Sequence, residues 1–169
     1  MDDAIYRLAQ LAYLMLPVYV ANMAPPFSRY WSGWNRPISR RRLGEHKTVV
    51  GFALGLVAAV MTAFIQSRVH WKGGMLPYDQ WLLLGFATGL GAMGGDSLKS
   101  FFKRQLGIGP GRPWIPADKL DFIIGGLLML SFWVNLSWTD AVYILAVSFA
   151  GDILVNHISF RLGIRDTRW

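Results

Sequence analysis

Five apolar stretches run through the chain at about residues 4–24, 48–69, 78–95, 122–138 and 139–160, and polar segments of unequal length part them. A helix needs roughly 20 apolar residues to cross a hydrocarbon core about 30 Å thick. The pattern therefore predicts an all-α integral membrane protein with about five transmembrane helices. The stretches consume most of the chain, so a single transmembrane domain over residues 1–169 is expected. Pro17 falls inside the first span and Pro25-Pro26 closes it; a proline within a span is tolerated where neighbours satisfy the freed carbonyl. Arg7, near the outer end of that span, can snorkel to the interface. The first residues include Asp2 and Asp3, and the apolar run passes Pro17 without a small-residue cleavage site, so it reads as a retained span. Gly51 and Gly55 share a face of the second span, and Gly85, Gly89, Gly91, Gly94 and Gly95 make the third unusually smooth, as close helix packing in lipid requires.

Composition agrees with this class. Hydrophobic residues make up 53% of the chain and charged residues only 16%, with mean hydropathy +0.33. There is no cysteine, which excludes disulfides and thiolate metal sites. The formal charge of +7 would suggest nucleic acid in a soluble protein. Here the cations follow the membrane instead. The segments after spans one, three and five carry 14 of the 17 Lys and Arg residues. Loops rich in Lys and Arg stay in the cytoplasm. The N-terminus is then outside, the C-terminus is cytoplasmic, and the two segments richest in polar chemistry meet on the cytoplasmic face. No nucleic-acid partner is expected.

Those two segments hold the candidate chemistry. Asp96 follows two glycines at the end of span three; alone, it would read as a helix cap. Asp118 and Asp121 are three apart, so a helix places both on one face, at the start of span four. Span four returns from the surface that Asp96 faces, so the three carboxylates can converge. Hard oxygen donors without cysteine favour Mg²⁺, and a second cation is left open. On a helix from Asp96, the side chains of Lys99, Ser100 and Lys103 fall on or beside its face, with Arg104 next to them. Arg112 and Lys119 complete this basic segment. Such cations either bind lipid headgroups or clamp a transferring phosphoryl group; interleaved acids favour the clamp. In the first polar loop, Asn35, Arg36, Lys47 and Thr48 are candidates for contacts to a nucleotide or phosphate, while Arg40, Arg41 and Arg42 set topology. Lys47-Thr48 is not the end of a P-loop, because the upstream glycines do not fit and no strand precedes it. Asp152 and Asn156 lie one turn apart on span five; an acid within a span is a functional candidate. Asp152 either faces the same cavity or pairs with a cation from a neighbouring helix.

These residues resemble the CTP-transferase family of integral-membrane cytidylyltransferases, the CDP-diacylglycerol synthase-like enzymes. The family pattern Gly-Asp-x-x-x-Ser-x-x-Lys-Arg is matched by Gly95, Asp96, Ser100, Lys103 and Arg104. Asp118-Lys119-Leu120-Asp121 is similar to the family's Asp-Arg-x-Asp element, and Lys47-Thr48-x-x-Gly51 to its Lys-Lys-Thr-x-x-Gly element. A short Gly109-Pro110-Gly111-Arg112-Pro113 turn stands where the family has a Pro-Gly-His-Gly-Gly turn. The size, span number and shortened turn are most like the archaeal branch, which acts on digeranylgeranylglyceryl phosphate.

The resemblance implies Mg²⁺-dependent transfer of CMP from CTP to an anionic isoprenoid ether lipid phosphate, at the cytoplasmic surface of the cell membrane. Asp96, Asp118 and Asp121 would hold metal. Lys103, Arg104 and Lys119 would offset charge in catalysis. Asn35, Arg36, Lys47, Thr48, Lys99, Ser100, Arg112, Asp152 and Asn156 would bind substrate. Phosphatidic acid is the alternative lipid. A CDP-alcohol phosphotransferase would need an Asp-Gly-x-x-Ala-Arg pattern, which is missing. A transporter subunit using Asp152 as an ion site would show similarity between inverted halves, and none is seen. Oligomeric state, a homo-oligomer included, is not legible.

Overall fold

The computed structural model describes residues 2–109 and 112–163. Among them are five α-helices: α1 (Asp2–Met23), α2 (Val49–Val69), α3 (Trp81–Gln105), α4 (Ala117–Leu130) and α5 (Trp138–Arg161). Short 3-10 turns at Pro25–Tyr30 and Tyr78–Gln80 lead out of α1 and into α3. No strand forms among the described residues; Pro37 and Thr48 make one isolated antiparallel bridge. Pro110 and Gly111 of the expected turn, and Arg165 and Arg168 of the basic tail, lie outside the described residues.

α3 is the central helix and packs on α4, α2 and α1, while α5 borders α4 and α1. The polarity is inverted relative to a water-soluble bundle. Val57, Met61, Ile65, Leu83, Phe86, Leu90, Ile124 and Leu128 face outward, while Thr62, Gln66, Thr88, Ser148 and Asn156 are buried. Only 33% of the most apolar window of α2 is buried. A helix apolar on all sides, yet mostly uncovered, suits lipid as solvent. Asp3–Tyr30, Val49–Val69 and Trp138–Arg161 are each long and apolar enough to cross a membrane.

Two boundaries differ from the sequence expectation. Span three was expected to stop at Gly95, but α3 continues unbroken to Gln105, because no proline interrupts 96–105 and the first positive-φ residue after it is Gly107. Its last ten residues therefore carry Asp96, Lys99, Ser100, Lys103 and Arg104 as one rigid surface. Span four was expected over 122–138. The helix instead starts at Ala117, so Asp118 to Asp121 form its first turn, and it ends at Leu130, where Ser131–Trp133 form a turn. At 14 residues α4 falls short of the span length.

Arg7 does not snorkel freely. Its guanidinium meets Asp140 at the start of α5 through two bonds, Nε to Oδ1 at 2.9 Å and Nη2 to Oδ2 at 2.6 Å. Asp140 also closes a capping box with Ser137. Its hydrogen bonds within the α5 cap leave it placed to receive Arg7, an ion pair that spacing along the chain could not show.

Candidate active site

Close approach of α3 and α4 builds the site. A Cβ on Gly95 would collide with the Asp121 carbonyl, and one on Gly91 with the Gly125 carbonyl. Only glycine lets the two backbones come this near. The contact sets the end of α3 that bears Asp96 directly against the first turn of α4.

The three carboxylates then meet on one ammonium. Lys99 Nζ lies 3.3 Å from Asp96 Oδ1, 3.0 Å from Asp118 Oδ1 and 3.0 Å from Asp121 Oδ2. Lys103 Nζ sits 2.9 Å from Asp118 Oδ2 and donates to the Arg112 carbonyl at 2.7 Å. The Trp114 N–H donates to Asp118 Oδ2 at 2.5 Å. Asp118 stands ahead of the apolar part of α4. Burial raises its pKa, but bonds from Lys103 and Trp114 and the Lys99 charge outweigh that and hold its carboxyl below the usual range.

Lys47 reaches the cluster from the loop between α1 and α2. That loop doubles back: Ile38 N–H donates to the Lys47 carbonyl at 2.8 Å and Val49 N–H to the Arg36 carbonyl at 2.9 Å. Gly44 turns it with φ +89°. Thr48 caps α2 by accepting from Gly51 N–H at 3.1 Å. Together these aim the Lys47 ammonium at Asp96 Oδ2, to which it is bonded. A small cavity of about 40 Å³ lies under the loop, lined by Ile38, His46, Lys47, Thr48, Asp96 and Ser97 among others. That is room for an ion or a water or two. His46 and Ser97 were not singled out from sequence; their chain neighbours Lys47 and Asp96 were the available signal.

Other expected residues are placed differently. Ser100 is 6% exposed and returns its hydroxyl to the Asp96 carbonyl at 2.9 Å. The Arg104 guanidinium is bonded to the Ile108 carbonyl. Asn35 Oδ1 accepts from Val50 N–H at 3.4 Å, and the Arg36 guanidinium stands 5.9 Å from the Trp34 ring centre. The Arg112 side chain is exposed, while its carbonyl is held by Lys103. Lys119 pairs elsewhere than its neighbour Asp118: its side chain is 3% exposed, and its ammonium meets Asp152 Oδ2 of α5 at 2.8 Å. Asn156 donates to the same oxygen at 2.8 Å. Of the two readings of Asp152, the structure gives the pair with a neighbouring helix.

The donor set fits a hard divalent ion. Three carboxylates face one positive centre, and Asp121 Oδ2 is buried without an aligned hydrogen-bond donor, although Lys99 Nζ is near. Lys99 holds the centre here, and among the described residues no three His, Cys, Asp or Glu close to ligating distance. Binding an ion would turn oxygens of Asp96 and Asp118 away from Lys47 and Lys103.

Comparison with known proteins adds to this geometry. The model of the CarS-like CDP-archaeol synthase family matches residues 4–169. The chain is 33% identical over 159 residues to the CDP-archaeol synthase of Sulfolobus acidocaldarius, covering 91% of this chain and 93% of that one. It is 30% identical over 172 residues to the CDP-archaeol synthase of Methanopyrus kandleri, covering 93% and 91%. A solved structure of an intramembrane enzyme for archaeal membrane lipid biosynthesis superposes with TM-score 0.65 at 30% identity, covering 86% of this chain and 91% of that one.

Proposed function

The chain belongs to the CDP-archaeol synthase family, and we propose that it transfers CMP from CTP to digeranylgeranylglyceryl phosphate, releasing pyrophosphate, at the cytoplasmic face of the membrane. The observation that carries this reading is the meeting of Asp96, Asp118 and Asp121, from two helices, at a single cationic point. Asp96 and Asp118, with Asp121 beside them, would hold a divalent ion, which we take to be Mg²⁺. When bound, the ion would neutralise charge on the phosphates.

The chain's own residues do the rest. A phosphate oxygen of the lipid attacks the α-phosphorus of CTP, and the bond to the β-phosphate oxygen breaks. No side chain needs to be the nucleophile, because the lipid phosphate already is one. Positioning and charge carry the catalysis. Lys47 and Lys103 now neutralise carboxylates; each can pass to a phosphate oxygen when another cation meets that carboxylate's charge. Lys47 reaches from the loop and would take the nucleotide, together with Asn35, Arg36 and Thr48. The cavity of about 40 Å³ beneath this loop is far smaller than a nucleotide, so it would take up at most a part of CTP as the loop stands.

The proposed topology is five crossings within one domain, with the N-terminus outside. The fourth crossing is α4, closed on its far side by the turn at Ser131–Trp133. The cation distribution supports this: the segments after α1 and α3 and the tail after α5 are the basic ones.

The test mixes purified protein, CTP and Mg²⁺ with either digeranylgeranylglyceryl phosphate or phosphatidic acid. Pyrophosphate release with the ether lipid is expected. Its absence with both lipids ends the reading.

A further inference from the structure

We propose that the Lys99 ammonium is a permanent cation of the active site, staying among Asp96, Asp118 and Asp121 and holding them together while metal and substrates bind. This rests on the cytidylyl-transfer reading above. It goes beyond it by giving Lys99 a role of its own, apart from the other lysines.

The geometry separates Lys99 from those lysines. Lys47 pairs with Asp96, and Lys103 with Asp118. Lys99 pairs with all three acids at 3.0–3.3 Å, and it is the ion-pair partner of Asp121. Its side chain is 14% exposed, and those of Asp96, Asp118 and Asp121 are 17%, 18% and 5% exposed. Three carboxylates this close and this buried repel one another unless a cation lies between them.

The anchoring also differs. Lys47 comes from the loop between α1 and α2, outside the helices that bear the acids. Lys99 stands one turn from Asp96 on the same helix, so its backbone stays beside the cluster whatever the loop does. Lys99 has three carboxylates around it at 3.0–3.3 Å, and its hold on them is the Coulomb attraction of one cation to three anions. The acids are thereby gathered before substrate arrives. The contrary view is that Lys99 merely fills the divalent ion's place and is expelled by it.

Replacing Lys99 by alanine leaves a gap that a small alkylammonium ion can fill. For Lys99→Ala, pyrophosphate release should fall by about two orders of magnitude. Ethylammonium or propylammonium should then restore it at least tenfold, without affecting the unaltered protein. A readout independent of turnover is the melting temperature of the metal-free, nucleotide-free protein in detergent. It should fall in Lys99→Ala and rise again with the same amine.

Near-normal activity in Lys99→Ala would overturn the proposal. So would an unchanged melting temperature, or tighter Mn²⁺ binding, which is the mark of an expelled plug. If Lys99→Ala does not fold, Lys99→Met combined with Asp121→Asn removes one charge of each sign. That protein should melt near the parent, and a melting temperature far below it overturns the proposal. Because melting and Mn²⁺ binding need no turnover, a failure of the cytidylyl-transfer reading would show separately, as a parent protein that releases no pyrophosphate.

Discussion

Asp96 is bonded to lysines on both of its oxygens, Lys47 on one and Lys99 on the other. A residue that only capped a helix would use its oxygens on backbone N–H groups, and Asp96 lies inside α3, sixteen residues into a helix of 25. Asp96→Asn should therefore lower pyrophosphate release by about 100- to 1000-fold, the scale of losing one preorganised charge contact. A helix-terminus role would instead show as a modest change in thermal stability with turnover kept; rate and melting curve measured together distinguish the two. Much at this scale was legible from spacing. Asp118 and Asp121, three apart, share a helix face, and Asp96 lies on the helix that returns to them. The role of Lys99 as the common partner was not legible. Its distances to Asp118 and Asp121 depend on how closely α3 and α4 approach, which no local pattern states. Ser100 shows the opposite limit: it matches the family motif, yet its hydroxyl is tied to the backbone of its own helix.

At the scale of elements, glycines were read as smooth packing, and Gly91, Gly95 and Gly125 turn out to set the distance between the two helices that bear the acids. The helix ends were harder to read. Polar residues 96–105 look like a loop beside apolar sequence, but they have no breaker and continue α3. α5 is joined to the site through the buried Lys119–Asp152 pair, with Asn156 as a further donor. Removing one partner of a buried ion pair costs about 3–5 kcal/mol because the other charge is left unpaired, while replacing both with apolar residues is often neutral. Thermal unfolding in detergent should show Asp152→Leu strongly destabilised, and Lys119→Met with Asp152→Leu more stable than either single change. A double variant no better than the singles would mean the pair does not link α4 to α5.

For the whole molecule, the apolar outer surface and the family place the chain in a membrane, and the basic segments propose which way it faces. The sequence has no cysteine, so single cysteines report topology without background. In closed cells, Arg41→Cys should resist an impermeant thiol reagent until the membrane is opened, and Lys72→Cys should react at once. The reverse pattern would invert the topology and move the site outside. The sequence could offer the number of crossings only as a count of apolar runs: α1, α2 and α5 are long and apolar enough to cross a membrane, while α4 has 14 residues.

The central claim is that Asp96 and Asp118 hold one divalent ion together with the nucleotide. It is tested most directly by titrating Mn²⁺ into the detergent-purified protein with CTP present, and into Asp96→Asn and Asp118→Asn, reading bound metal by electron paramagnetic resonance. Binding in the parent, weakened at least tenfold in both variants, is the predicted result. Equal affinity in all three proteins would contradict the account.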